Sequence, residues 1–149
     1  MPYTSWERED LDDVTATFDD TAIATLANNV AVLSSEIDNS AGAWTHADFE
    51  LSVDFGTNPT GPVELYAVTA FDGTNYIETT LTATYIVGSG CRIGAFSPRA
   101  VTTAQKCILR DVPIPAAKFK LLLGNKGGFA FDGSGKYLKM WRKRMKLNP

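Results

Sequence analysis

Hydrophobic and polar positions alternate most cleanly in "DFELSVDF", where Phe49, Leu51, Val53 and Phe55 are separated by Glu50, Ser52 and Asp54. A period of two puts the apolar side chains on one face of an extended chain, so this segment is expected to be a half-buried strand. "PVELYAVTAF" repeats the pattern, with Val63, Leu65 and Ala67 opposite Glu64, Tyr66 and Val68. The "GTNPTG" between them is a cluster of turn formers, and the two strands are expected to pair as a hairpin. Further on, "KFKLLL" aligns Phe119, Leu121 and Leu123, and "KCILR" sets Cys107 and Leu109 against Lys106, Ile108 and Arg110. Phe49, Leu51, Val53, Phe55, Val63, Leu65, Phe119, Leu121 and Leu123 are the expected core.

"NVAVLSSEI", "NYIETTLTATYIV", "RIGAF" and the last segment are further strand candidates, separated by "DNSAG", "FDGTN", "GSG", "PIP" and "NKGG". Many short strands with Gly, Pro and Asn punctuation indicate an all-β fold, an antiparallel β-sandwich or barrel. Only "DDTAIATLANNVAVL" resembles a helix, and its threonines and paired asparagines weaken that reading. With 149 residues, 44% of them hydrophobic, the chain suits one domain with a sizeable core. No repeat or long linker divides it. The plausible appendage is an acidic arm, residues 1–20, ahead of a sandwich domain over residues 21–149.

Charge divides the chain sharply. Residues 1–88 hold fifteen acids and one base, whereas residues 89–149 hold thirteen bases and two acids. The arm "WEREDLDDVTATFDD" is at one end and "KYLKMWRKRMK", with six bases and no acid, is at the other. Read as a strand, that last segment puts Tyr137, Lys139, Trp141, Lys143 and Met145 on one face and Leu138, Met140, Arg142 and Arg144 on the other; a helical reading aligns Tyr137, Trp141 and Met145. Net acidity, −3 overall, argues against a general nucleic-acid binder. No apolar run reaches the roughly 18–20 residues of a membrane span, and the acidic start is unlike a secretion signal, so synthesis in the cytoplasm is expected.

Chemistry is sparse. His46 is the single histidine, and no GxSxG, HExxH or SxxK pattern accompanies it, so neither an enzyme nor a metal or other cofactor is expected. "GNKGGFAFDGSGK" lacks the spacing of a phosphate-binding loop: Ala130 and Tyr137 stand where a glycine and a Ser or Thr are needed. "FDGTNY" and "FDGSG" offer too few carboxylates for calcium and read as tight turns. Cys91 and Cys107 lack CxxC spacing and read as small apolar residues of strands.

The runs "LANNVAVLSSEIDNSAGAWTHADFELSVDF", "VELYAVTAFDGTNY" and "SPRAVTTAQKCILRDVPIPAAKFKLLLGNKGG" resemble small virion structural proteins of tailed bacteriophages, over roughly residues 22–141. The resemblance implies a jelly-roll-type sandwich with no catalytic residues. It implies a capsid decoration or cement protein on the virion surface, with the major capsid protein and neighbouring copies as partners, a trimer being the first expectation. A tail, neck or baseplate subunit is an alternative. Carbohydrate binding is another, with Trp44, Tyr66, Tyr76 and Tyr85 as a candidate stacking platform, although aromatics at strand positions are more often core. The charge division suggests docking surfaces: Trp6, Glu7, Glu9, Asp10, Asp12 and Asp13 at one end, Arg142, Lys143 and Arg144 at the other. Solvated chain ends are the plainer account of both.

Overall fold

The computed structural model describes residues 3–9, 18, 23–41, 44–70, 72, 74–76 and 92–148, with backbone alone for 3, 4, 6–9 and 146–148. It is all-β. Eight strands run in order: β1 (Tyr3–Glu9), β2 (Ala31–Asp38), β3 (His46–Val53), β4 (Val63–Thr69), β5 (Arg92–Phe96), β6 (Gln105–Pro113), β7 (Lys118–Asn125) and β8 (Tyr137–Asn148). They form two four-stranded sheets, ordered β1-β8-β3-β6 and β2-β7-β4-β5, and every pairing is antiparallel. β1 pairs with β8, β2 with β7, β3 with β6 and β4 with β5, so the second half of the chain folds back along the first. A long hairpin wrapped into two facing sheets is a jelly roll.

The alternation seen in the sequence supplies the inner faces. Phe49, Leu51 and Val53 of β3 meet Val63 and Leu65 of β4 and Phe119, Leu121 and Leu123 of β7, all fully buried. Leu138 and Met140 complete the layer from β8, and Phe55 packs edge-on against Phe131 at 5.1 Å. All nine residues expected in the core are there.

The expected β3–β4 hairpin does not form. β3 lies in one sheet beside β8 and β6, and β4 in the other beside β7 and β5. Its polar linker contains buried Pro59 and follows buried Phe55, so it crosses one end of the sandwich. Two sheets about 10 Å apart need such a bridge, and each strand gains a full apolar face to set against the other. Of the helix-like stretch before β2, residues 19–22 lie outside the described residues, and from Leu26 on the described part is not helical. Leu26 N–H donates to Ile23 C=O at 3.3 Å in a single turn, Asn29 adopts φ 60°, and β2 follows.

The N-terminal region is built into the sandwich over the residues described. β1 is an edge strand, and Phe18 is buried in the core. The last segment is a strand and not a helix: β8 continues to Asn148, with β1 as its ladder partner beyond Trp141. Much of "NYIETTLTATYIV", together with Tyr85 and Cys91, lies outside the described residues. Cys107 is half-buried against the core, and burial pushes its thiol up.

Buried polar groups tie the connections to this frame. The Asn125 side-chain amide donates to Leu26 C=O and Phe129 C=O, each at 2.8 Å, while its oxygen accepts from Gly127 N–H. The glycine-rich loop is thus a set of turns, with positive φ at Gly128, Gly133 and Gly135. The buried Lys136 amine donates back to Gly133 C=O and closes it.

Leu51→Ala is expected to lower unfolding free energy by about 2–5 kcal/mol, read from the urea midpoint, while Leu51→Asp prevents soluble folding because an unpaired charge would enter the core. Wild-type-like unfolding of either variant would contradict the inward face of β3.

Candidate functional site

The two outer faces of the sandwich differ. On the β2-β7-β4-β5 sheet, Tyr66, Val68 and Leu122 point away from the main core yet are buried in a second apolar cluster with Ala31, Leu33 and Tyr76. The Tyr76 phenol donates to Glu36, which also pairs with Lys118 at 3.0 Å. Lys120 stands 4.5 Å above the Tyr76 ring. Burial first, and then Glu36, push the Tyr76 phenol up to about 12. Tyr66 and Tyr76 are therefore part of a covered face. Trp44 is buried as well, so Trp44, Tyr66 and Tyr76 do not form the candidate stacking platform; the fourth candidate, Tyr85, lies outside the described residues.

The outer face of β1-β8-β3-β6 is different. Alternation puts His46, Asp48, Glu50 and Ser52 of β3 outward, flanked by Tyr137, Lys139 and Trp141 of β8 and by Lys106, Ile108 and Arg110 of β6. Between Ala47 and Phe49, β6 carries one residue more than β3, a β-bulge at Arg110 and Asp111. Asp111 adopts φ 53°, a left-handed conformation that Asp tolerates better than most side chains. Its N–H, displaced from the ladder, donates to the Asp48 carboxylate at 2.9 Å. Lys143 then bridges Asp48 at 2.7 Å and Asp111 at 2.8 Å.

Beside this bulge lies a shallow groove of about 270 Å³, lined by Asp48, Glu50, Ile108, Arg110 and Trp141. Ile108 is 53% exposed, unusual for a large apolar side chain in mid-strand. Glu50 accepts from Tyr137 O–H at 2.7 Å and pairs with Lys106 at 3.2 Å. The Tyr137 hydrogen bond, assisted by Lys106, holds the Glu50 carboxyl below its ordinary range despite partial burial. A larger hollow of about 460 Å³, near Pro59, Pro62 and Pro98, has Arg92 as its only charged lining residue, and Arg92 is paired with Glu64 at 3.5 Å.

Of the residues expected to dock partners, Arg142, Lys143 and Arg144 make contacts within the chain. Arg142 and Arg144 lie over the Trp44 ring at 5.6 and 4.5 Å, and Arg142 also donates to Asp38 C=O. Lys143 holds the bulge. In the β1–β8 register Trp6 stands opposite Met145, Glu7 opposite Arg144 and Glu9 opposite Arg142; Asp10, Asp12 and Asp13 lie outside the described residues. His46 Nδ1 is 2.9 Å from Thr45 Oγ1. Among the described residues no three His, Cys, Asp or Glu side chains converge on a metal position, and no helix is long and apolar enough to cross a membrane. Asp72, in "FDGTNY", accepts from Thr74 N–H and Asn75 N–H within its own turn. Sequence reasoning paired Ile108 with Arg110 on one strand face and Trp141 with Lys139 on another. It had no signal that β3 would bring the two faces together.

No protein-family model matches the chain, and no curated protein sequence does. Among solved structures it is similar to the CBM36-1 domain of a multidomain xylanase from the hindgut metagenome of Trinervitermes trinervoides, with 16% identity, TM-score 0.49, and 77% of this chain and 73% of that one covered. It is also similar to a carbohydrate-binding module CBM36 in complex with calcium and xylotriose, with 12% identity, TM-score 0.45, and 83% and 78% covered. A chain of the infectious bursal disease virus Gx strain structure shares 14% identity at TM-score 0.46, over 97% of this chain and 31% of that one.

The lowered carboxyls of Glu36, Glu50 and Asp111 set a pH dependence. A carboxyl held lower in the folded than in the unfolded state contributes stability that is fully present above its unfolded value, about 4, and is lost as pH falls through the folded value. The urea midpoint is therefore expected to hold from pH 7 to about 5 and to fall below that. Glu50→Gln should cost about 0–1 kcal/mol at pH 7 and reduce the acid-side fall; an unchanged acid limb would show that Glu50 is not linked to folding.

Proposed function

We propose that this jelly roll is a non-catalytic recognition module that binds carbohydrate on the outer face of its β1-β8-β3-β6 sheet. The observation that carries the reading is the groove in which Trp141 and Ile108 lie among Asp48, Glu50 and Arg110. A sugar ring presents apolar C–H faces and a rim of hydroxyls. Indole and isoleucine suit the first, while carboxylate acceptors and a guanidinium donor suit the second. Strand-borne groups held by the bulge and its ion pairs are fixed before a ligand arrives, which lessens the ordering cost of binding. Catalysis fits poorly. A glycosidase needs a carboxylic acid with a raised pKa, whereas Glu50 is lowered and Asp48 is engaged by Lys143 and by Asp111 N–H.

A second reading, a virion structural subunit, is favoured by where the phage-like segments fall. "VPIPAAKFKLLL" supplies buried Val112, Ile114, Phe119, Leu121 and Leu123, and the other segments include β2, β3 and β4. They are the framework of the jelly roll, the part a decorating subunit would share with its kind. Saturable co-sedimentation with purified phage heads supports that reading, and failure to bind any particle removes it.

In affinity electrophoresis through gels containing soluble polysaccharides, the protein is expected to be retarded by at least one. Trp141→Ala should weaken that binding about tenfold or more, a loss of about 1.4 kcal/mol, with an unfolding midpoint close to wild type. Unretarded migration in every polysaccharide, or a Trp141→Ala variant that binds like wild type, would overturn the carbohydrate reading.

A further inference from the structure

Resting on that reading, we infer that the groove selects acidic sugars, and that Arg110 is the specificity-determining residue that takes the carboxylate of a uronic acid unit. An acidic ligand first has to approach a surface holding Asp48, Glu50 and Asp111. Each is already countered. Lys143 lies 2.7 Å from Asp48 and 2.8 Å from Asp111, and Glu50 is held by Lys106 and the Tyr137 hydroxyl. Carboxylates so engaged repel an incoming anion far less than bare ones.

Arg110 is the exception. It is exposed and lines the groove, yet among the described residues it makes no hydrogen bond and no ion pair within 4.0 Å; its one charged relation is a longer-range attraction to Asp111. Across β3, β6 and β8 this outer face carries four bases, Lys106, Arg110, Lys139 and Lys143, against those three acids. The local sign is thus opposite to the net −3 of the chain. A guanidinium presents a planar fork that meets a carboxylate through two parallel hydrogen bonds. Here the fork stands beside Trp141 and Ile108, so a ring seated on those apolar groups can bring its carboxylate to Arg110. The bulge is what fixes this placement, since the extra residue follows Arg110 directly and is anchored by Asp48.

Calorimetric titration with oligogalacturonate, its fully methyl-esterified form and a neutral xylo-oligosaccharide tests the inference. Esterification removes charge and keeps the ring. The wild-type protein is expected to bind the acid at least about tenfold more tightly than the ester, with the gap shrinking as salt is raised. Arg110→Gln should erase the advantage of the acid, costing it about tenfold more affinity than it costs the ester, leave the unfolding midpoint unchanged, and be partly rescued by Arg110→Lys. Equal binding of acid and ester, or an acid preference that survives Arg110→Gln, would overturn the assignment while the carbohydrate reading stands. Binding of none of the three, together with no retardation by any polysaccharide, would remove both.

Discussion

The fold depends on antiparallel pairing between the first half of the chain and the second. Fifteen of the seventeen acids precede residue 89 and thirteen of the fourteen bases follow it, a division that lies between β4 and β5, at the tip of the long hairpin. Folding back at that point sets acidic strands beside basic ones all along the ladder. Glu36 meets Lys118, Glu50 meets Lys106, Asp48 meets Lys143, and Glu64 meets Arg92. Each exposed pair contributes little, typically about 0–1 kcal/mol. Their value lies in register, because a one-residue slip would turn every apolar side chain outward and set like charges together.

That arrangement gives the charge asymmetry a use within one molecule. Viewed as a sequence, an acidic start and a basic end look like surfaces waiting for partners. Viewed through the topology, Lys143 braces a bulge, and Arg142 and Arg144 cover Trp44 at the end of the sandwich. The face proposed for recognition is the one that, among the described residues, no apolar cluster covers. The opposite face is closed by Tyr66, Val68 and Leu122 beneath Tyr76.

Period-two alternation was enough to find β3, β4, β6 and β7 and to orient their side chains, because each sets an alternating apolar row against the core. It could not tell which strands share a sheet. β3 and β4 are separated by a turn-rich stretch that suits a hairpin and suits a crossing equally well, and the choice is made by Phe55 and Pro59 packing over the sandwich end. The site was less legible still. Ile108, Arg110 and Trp141 each read as outward-facing strand residues, but β6 and β8 become neighbours of β3 only through the jelly-roll order. The bulge had no sequence signature. A single Asp at φ 53° creates it, and its stability comes from Asp48, sixty-three residues away in the chain.

The same contacts would therefore serve both stability and the recognition proposed for this face. Lys143 and Lys106 hold β8 and β6 to β3 through Asp48 and Glu50, and in doing so they counter the acids of the groove. Had Arg110 been drawn into that network, the face would be electrostatically closed. At the bulge it is Asp111 that meets Lys143, and Arg110 stands outside that network. A one-residue irregularity in the ladder thus sets a guanidinium with no ion pair within 4.0 Å among the described residues in the same groove as an indole.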